Sequence, residues 1–175
     1  MKLSHPAKLI GTWFGSGLAP KASGTAGSIA ALPFAYLIQT QWGNGALFLA
    51  SVIAFFVGWY ATHLYLPHTD AKDPKEIVID EVSGQWLLLS AMYPTFTSYL
   101  IGLVLFRFFD IVKPWPVSWA DQKVPGALGV MLDDTLAALY PLIVMAAGVA
   151  LASGLLGHPV NLTPLEHLLA EHHVP

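Results

Sequence analysis

The sequence contains no cysteine and few charged residues, and both shortages exclude classes of protein. Without cysteine there is no disulfide and no thiolate metal site. Charged residues make up 11% of the 175 residues, whereas a soluble domain carries about 25%. The net charge of -3 lacks the basic excess of a nucleic-acid-binding protein, so no nucleic-acid partner is expected. Hydrophobic residues, in contrast, make up 55% of the chain, which is the balance of a polytopic membrane protein.

The apolar residues are grouped into runs that predict membrane-spanning helices. Residues 45–66 form the clearest run, because about 20 apolar residues in helical form cross a bilayer. We expect an all-α membrane bundle of four to five transmembrane helices plus a short N-terminal helix. Residues 1–156 are predicted to form one membrane-embedded domain, and 157–175 a polar C-terminal tail. The predicted spans are 27–40 (whose full crossing is left open), 45–66, 78–93, 97–112 and 135–156.

The distribution of lysine and arginine predicts an orientation in the membrane. With five spans, the lysines of the N-terminal arm, of linker 67–76 and of loop 113–132 fall on one side. The turns at 41–44 and 94–96 and the C-terminal tail carry no lysine or arginine and fall on the other side. Cytoplasmic loops carry the excess of these residues. The N-terminus is therefore predicted to lie in the cytoplasm.

The same topology brings polar residues that are distant in sequence to one membrane face. Charged groups held against lipid are costly, and they persist mainly where they have a function. We therefore predict a single site at the cytoplasmic surface of the membrane. Its candidate residues come from the starts or ends of four predicted spans: Gly24, Thr25, Ser28, Asp80, Glu81, Arg107, Asp110, Lys113, Asp133 and Asp134.

Two pairs of adjacent acids are the candidate metal ligands. Asp80, Glu81, Asp133 and Asp134 offer only hard oxygen donors, which suit Mg²⁺, Ca²⁺ or Mn²⁺. Each pair also has a structural interpretation. Asp133 and Asp134 could cap the following helix, since Asp is a favoured N-cap, and Asp80 and Glu81 could be a solvated helix start.

Arg107, Asp110 and Lys113 follow one another at a spacing of three residues and so share one helix face. Arginine can bind a phosphate through two nitrogens, and lysine can bind it as a point charge. The alternative is an intramembrane ion pair beside a lysine that reaches towards water.

The stretch 15–28 is rich in glycine, serine and threonine and leads into an apolar run. Backbone N–H groups at a helix N-terminus bind anions, and glycine allows a close approach. Gly24, Thr25 and Ser28 are therefore predicted phosphate contacts. Together with the acids, they indicate metal-assisted phosphoryl chemistry on a lipid.

Four segments carry a resemblance to the phosphatidylglycerophosphatase A family. They are GSGLAPKASGTAGS (15–28), IDEVSGQW (79–86), FRFFDIVKPWPVSWADQ (106–122) and GALGVMLDD (126–134). The resemblance runs from about residue 11 to 140. It implies a multi-pass enzyme of the bacterial inner membrane. Such an enzyme uses Mg²⁺ to remove the terminal phosphate of phosphatidylglycerophosphate, giving phosphatidylglycerol and inorganic phosphate.

The predicted mechanism assigns catalysis to Asp80, Asp110, Asp133 and Asp134, with one or two Mg²⁺ ions. Either a metal-activated water attacks phosphorus, or one of these acids forms an aspartyl-phosphate. The alternative from another class is a small transporter or channel, whose ion pathway needs polar groups throughout the membrane depth. Here they are concentrated at one face. The sequence does not indicate an oligomeric state.

Overall fold

The computed structural model describes residues 5–71 and 73–156. Within these ranges every regular secondary-structure element is a helix. The predicted all-α class is confirmed, whereas the predicted tail 157–175 lies outside the described residues. Two 3-10 turns, Ser16–Leu18 and Leu66–His68, accompany the α-helices. These helices are α1 (Pro6–Gly11), α2 (Ser23–Tyr65), α3 (Ile79–Leu89), α4 (Phe96–Val112), α5 (Val117–Lys123) and α6 (Gly126–Leu156).

Helix α2 folds back on itself at Gly43, whose φ of 82° and ψ of 178° interrupt the helical backbone. The Trp86 indole donates to the carbonyl oxygen of Ala31, and the Ser83 hydroxyl donates to that of Ser51. In a straight helix Ala31 and Ser51 would be about 30 Å apart, yet both contact the middle of α3. The two halves of α2 therefore form a hairpin, and its reversal lies in the predicted turn 41–44.

Helix α3 lies at the centre of the bundle. It packs against α2, α4 and α6, and Val82, Leu88 and Leu89 are fully buried there. At 1.5 Å per residue its 11 residues span about 16 Å, roughly half of the hydrocarbon thickness of a bilayer. Within the predicted span near 78–93 the helix therefore covers only Ile79–Leu89, and the chain turns at Ser90 instead of continuing.

The outer surfaces of the long helices are apolar. By length and composition, residues 23–68 and 126–155 could cross a membrane. Many of their large side chains point outwards rather than into the core, as at Trp42, Leu37, Ile143 and Leu151. A water-exposed surface of this kind would be costly, so these helices suggest membrane association.

The segment 113–132 departs most from the sequence prediction. It was predicted as a loop, but α5 forms within it and α6 begins at Gly126 rather than near 135. Val130 and Met131 are buried against the core, and this packing extends the helix towards its N-terminus. Asp133 and Asp134 thus lie two turns inside α6, so the alternative that they cap this helix was wrong.

Candidate functional site

One cavity of about 410 Å³ collects the polar ends of the helices. The start of α2, the start of α3, the end of α4 and the second turn of α6 surround it, together with the linker before α3. Its acidic and basic lining residues are Asp73, Lys75, Asp80, Glu81, Arg107, Asp110, Lys113, Asp133 and Asp134. Residues from five parts of the chain therefore meet at one place.

Three carboxylates form the centre of this cavity. One oxygen each of Asp80, Glu81 and Asp134 lies within 4.8 Å of the other two. Asp80 and Asp134 are only 7% and 3% exposed. Asp80 Oδ1, Glu81 Oε2 and Asp134 Oδ2 are buried and have no hydrogen-bond partner among the described residues. A bound cation would stabilise like charges with unpartnered oxygens, so this trio fits a hard divalent metal such as Mg²⁺.

Arg107 links the trio to α4. Its Nη1 lies 2.6 Å from Asp110 Oδ2, three residues along the same helix, and 3.5 Å from Glu81 Oε1. Gly24 lies directly against this pair. A Cβ there would overlap Glu81 Oε1 and lie 2.9 Å from Arg107 Nη2. The absence of a side chain at Gly24 thus allows α2 to approach the guanidinium.

Lys113 forms a second charged group at the edge of the cavity. Its ammonium nitrogen lies 2.7 Å from Asp121 Oδ1 and 2.7 Å from Asp133 Oδ2. Partial burial acts to lower the pKa of Lys113, but the hydrogen bonds to both acids outweigh it and hold that pKa above its ordinary value. Lys113 is therefore charged at neutral pH.

Asp133 and Asp134 are adjacent in sequence but differ in surroundings. The two oxygens of Asp133 accept bonds from Lys113 and from the backbone N–H of Asp134, the latter at 2.9 Å. The Asp134 carboxylate instead points into the trio. Neighbouring residues of a helix face directions about 100° apart, which explains this division.

Most of the predicted site residues come together, and two do not. Gly24 and the seven charged residues predicted from the sequence all line the cavity. Thr25 and Ser28 are not among its lining residues. The Ser28 hydroxyl is fully buried and donates to the carbonyl oxygen of Gly24 at 3.0 Å. Its hydrogen bond is therefore made within α2 and not in the cavity.

Sequence reasoning missed three polar lining residues: Ser23, Asp73 and Lys75. The linker 67–76 was interpreted as a polar segment in water. The Ser23 hydroxyl donates to the carbonyl oxygen of Lys75 at 2.5 Å, which holds the end of the linker against the start of α2. The only feature of the sequence that could have placed a linker residue at the site was the short distance in sequence from Lys75 to Asp80.

A larger cavity lies elsewhere in the described part of the chain. It measures about 550 Å³ and lies between α2 and α4, with Leu32, Pro33 and Leu103 in its lining. No acidic or basic side chain of the described residues lines it. It therefore lacks the groups for phosphoryl chemistry, despite its size.

Comparison with known proteins agrees with the chemistry of the charged cavity. Residues 9–149 match the family described as Phosphatidylglycerophosphatase A. Phosphatidylglycerophosphatase A of Escherichia coli (strain K12) is 37% identical over 139 residues, which are 78% of this chain and 80% of that protein. The protein of the same name from Haemophilus influenzae (strain Rd) is 33% identical over 148 residues, 84% of this chain and 91% of that protein.

A third relative carries a different name. A Bacteroides thetaiotaomicron protein called putative phosphatidylinositol-3-phosphatase is 38% identical over 151 residues, 79% of this chain and 90% of that protein. No solved structure matches the chain significantly. The matched segment includes α2, α3, α4 and the part of α6 that lines the charged cavity, and the relatives align over most of their own lengths. The chain belongs to the phosphatidylglycerophosphatase A family.

Proposed function

We propose that the protein hydrolyses the terminal phosphate of phosphatidylglycerophosphate and releases phosphatidylglycerol and inorganic phosphate. The observation that carries this proposal is the meeting of Asp80, Glu81 and Asp134 beside Arg107 in one cavity. Its walls are formed by helices with apolar outer surfaces. In a member of this family, such a cavity has the charges that a phosphomonoester on a lipid headgroup requires.

We assign the divalent cation, one or two Mg²⁺, to the carboxylates of Asp80, Glu81 and Asp134. Their unpartnered buried oxygens support this assignment. A bound Mg²⁺ supplies positive charge that polarises the phosphate. Asp133 was also predicted as a ligand, but both of its oxygens already accept bonds. We therefore assign Asp133 to holding Lys113 in position.

The cationic side chains neutralise the phosphoryl oxygens. Arg107 is fixed by Asp110 and Glu81, and Lys113 by Asp121 and Asp133. Cations held in advance do not have to reorganise as charge develops on the phosphoryl group. Gly24 lets the backbone of α2 approach the guanidinium, and the phosphate contacts predicted at Thr25 and Ser28 would act only through backbone groups.

Bond breaking releases the lipid alcohol from phosphorus, and an oxygen of water or of a carboxylate takes its place. Asp110 lines the cavity and is 8% exposed, so it can accept the proton of an attacking water. The alternative is attack by a carboxylate to form an aspartyl-phosphate. Acid quenching during turnover followed by mass spectrometry of the protein separates these routes, because only the second leaves a phosphoryl group on a carboxylate.

The topology that we propose has four to five membrane-crossing segments, with the N-terminus and the site on the cytoplasmic side. Support comes from Lys75, Lys113 and Lys123, which lie at the end of the bundle that carries the site. Lys8 lies there as well, 5.9 Å from the ring centre of Tyr65 at the end of α2. An excess of lysine marks the cytoplasmic side of a bacterial membrane protein.

The test is phosphate release by the detergent-solubilised protein from phosphatidylglycerophosphate and from phosphatidylinositol 3-phosphate, with Mg²⁺ or with a chelator. We expect release from the first lipid only, and loss of release in the chelator. Mg²⁺ should also raise the melting temperature, because it binds the folded trio. Release from the inositol lipid alone would overturn the substrate assignment. Ion flux in liposomes without any phosphate release would favour a transporter.

A further inference from the structure

Lys75 stands between the charged cavity and a second, adjoining cavity of about 420 Å³. The second cavity is formed by the N-terminal arm, from Gly17 to Ser23, and by the end of the linker. Ala22, Ser23 and Lys75 line both cavities. The two spaces therefore form one extended cleft, with Lys75 at their boundary.

The backbone is anchored at Lys75 and three residues after it. Ser23 bonds to its carbonyl oxygen, and the Val78 N–H donates to the carbonyl oxygen of Gly11 at 2.8 Å. Its neighbour Glu76 accepts a hydrogen bond from the Tyr65 hydroxyl at 2.6 Å. That bond holds the pKa of Glu76 below its ordinary value, so Glu76 stays ionised with its charge directed towards Tyr65.

Lys75 differs from the other two cations of the charged cavity. Arg107 and Lys113 are each held by two carboxylates. Among the described residues no carboxylate lies within ion-pair distance of Lys75, whose side chain is exposed to the cleft. Glu76, the adjacent acid, is bonded to the Tyr65 hydroxyl, and Asp73 lines both the charged cavity and a small cleft with Asp121 and Asp133. Lys75 is thus a positive charge available to an anion.

The proposed substrate has two anionic groups. The terminal phosphomonoester reacts and must reach the carboxylate trio and Arg107. The phosphodiester stays with the lipid and, because a glycerol unit separates the two phosphates, lies outside the trio. We propose that Lys75 binds this phosphodiester, so that the cleft selects headgroups with two phosphates; this inference rests on the proposed function.

The test compares Lys75→Gln with wild type in steady-state hydrolysis of phosphatidylglycerophosphate in mixed micelles. We expect KM to rise about three- to tenfold, the range for losing one partly solvated charge contact, and kcat to stay within about twofold. Phosphatidylglycerol keeps the phosphodiester, so its inhibition constant should rise by about the same factor as KM. Inhibition by inorganic phosphate should not change.

Two further variants make the result specific. Lys21→Gln removes the same charge from an exposed position on the neighbouring loop that lines neither cavity, so its KM should equal that of wild type. Lys75→Arg keeps the charge and should keep KM within about twofold.

The assignment of Lys75 would be overturned by an unchanged KM in Lys75→Gln, by an equal rise of KM in Lys21→Gln, or by a fall in kcat alone. Phosphate release by wild type would leave the proposed function intact in each of these cases. Absence of release by wild type would overturn both.

Discussion

The two ends of the helix bundle both bury polar side chains, but among the described residues the buried carboxylate oxygens without partners lie at one end. At the end away from the cavity, Gln39 donates to the carbonyl oxygens of Leu89 and Met92 and accepts from the Tyr99 hydroxyl, at 3.1, 2.7 and 2.7 Å. These groups are neutral and mutually satisfied. At the other end Asp80, Glu81 and Asp134 crowd together, and each keeps one unpartnered buried oxygen.

Buried polar groups that are fully hydrogen-bonded stabilise the fold, whereas buried charges without partners lower the free energy of unfolding. A satisfied buried network contributes to folding and fixes the packing, as the Gln39 side chain does by joining α2 to α3 and α4. A cluster of like charges opposes folding, and a bound cation compensates this cost. The two ends should therefore respond oppositely when a polar side chain is removed.

The largest effect on activity is expected for Asp134→Asn. It removes a carboxylate from the trio, so kcat should fall by at least about 100-fold. The melting temperature in a chelator should stay constant or rise, because one of the mutually repelling charges is gone. Phosphate release and thermal unfolding of the same detergent preparation measure both quantities.

Asp121→Asn is the matched control for that substitution, since Asp121 pairs with Lys113 but does not line the charged cavity. Its kcat should fall far less. A melting temperature that drops together with activity in Asp134→Asn would place Asp134 with the stabilising groups and break the comparison.

A smaller loss of activity is expected for Gly24→Ala. The new methyl group would overlap Glu81 Oε1 and crowd Arg107, so it must displace the ion pair. We expect kcat/KM to fall roughly 10- to 100-fold, as when a supporting contact of a metal site is lost.

Gly45→Ala provides the control, because a Cβ at Gly45 meets no atom within 4 Å. It should leave activity unchanged and stabilise α2 by up to about 1 kcal/mol. Full activity in Gly24→Ala would show that the position of the ion pair does not matter for turnover.

The smallest effect on activity is expected at the opposite end, for Gln39→Leu. This change leaves two buried carbonyl oxygens and the Tyr99 hydroxyl with lost hydrogen bonds. The free energy of unfolding should fall by about 2–3 kcal/mol, while kcat per folded molecule stays the same. Denaturant unfolding in detergent and activity of the folded fraction test this.

Thr40→Ala is the neighbouring control, since the exposed Thr40 hydroxyl bonds only within α2. Its unfolding free energy should change by less than about 0.5 kcal/mol. If Gln39→Leu lowered kcat and left stability intact, the far end of the bundle would belong to the catalytic machinery.

The convergence of the charged residues was predictable because they stand where apolar runs begin or end. Arg107, Asp110 and Lys113 close one run, and Asp80 and Glu81 open another. Because consecutive membrane-crossing helices run in opposite directions, the end of one helix and the start of the next lie at the same membrane face. The helix start at Gly126 and helix α5 were missed, since glycine and proline in that segment indicate a loop, and packing against the core overrode them.

The sequence by itself determined that this chain forms apolar helices with its charges gathered at their boundaries, because burying a charge in hydrocarbon costs too much for any other arrangement. Only the tertiary structure decided which oxygens meet. The division between Asp134 in the trio and Asp133 on Lys113 depends on the rotation of α6 about its axis. Likewise, Lys75 reaches the cleft only because its linker is held against α2. Both depend on contacts between segments far apart in the chain, which local patterns do not encode.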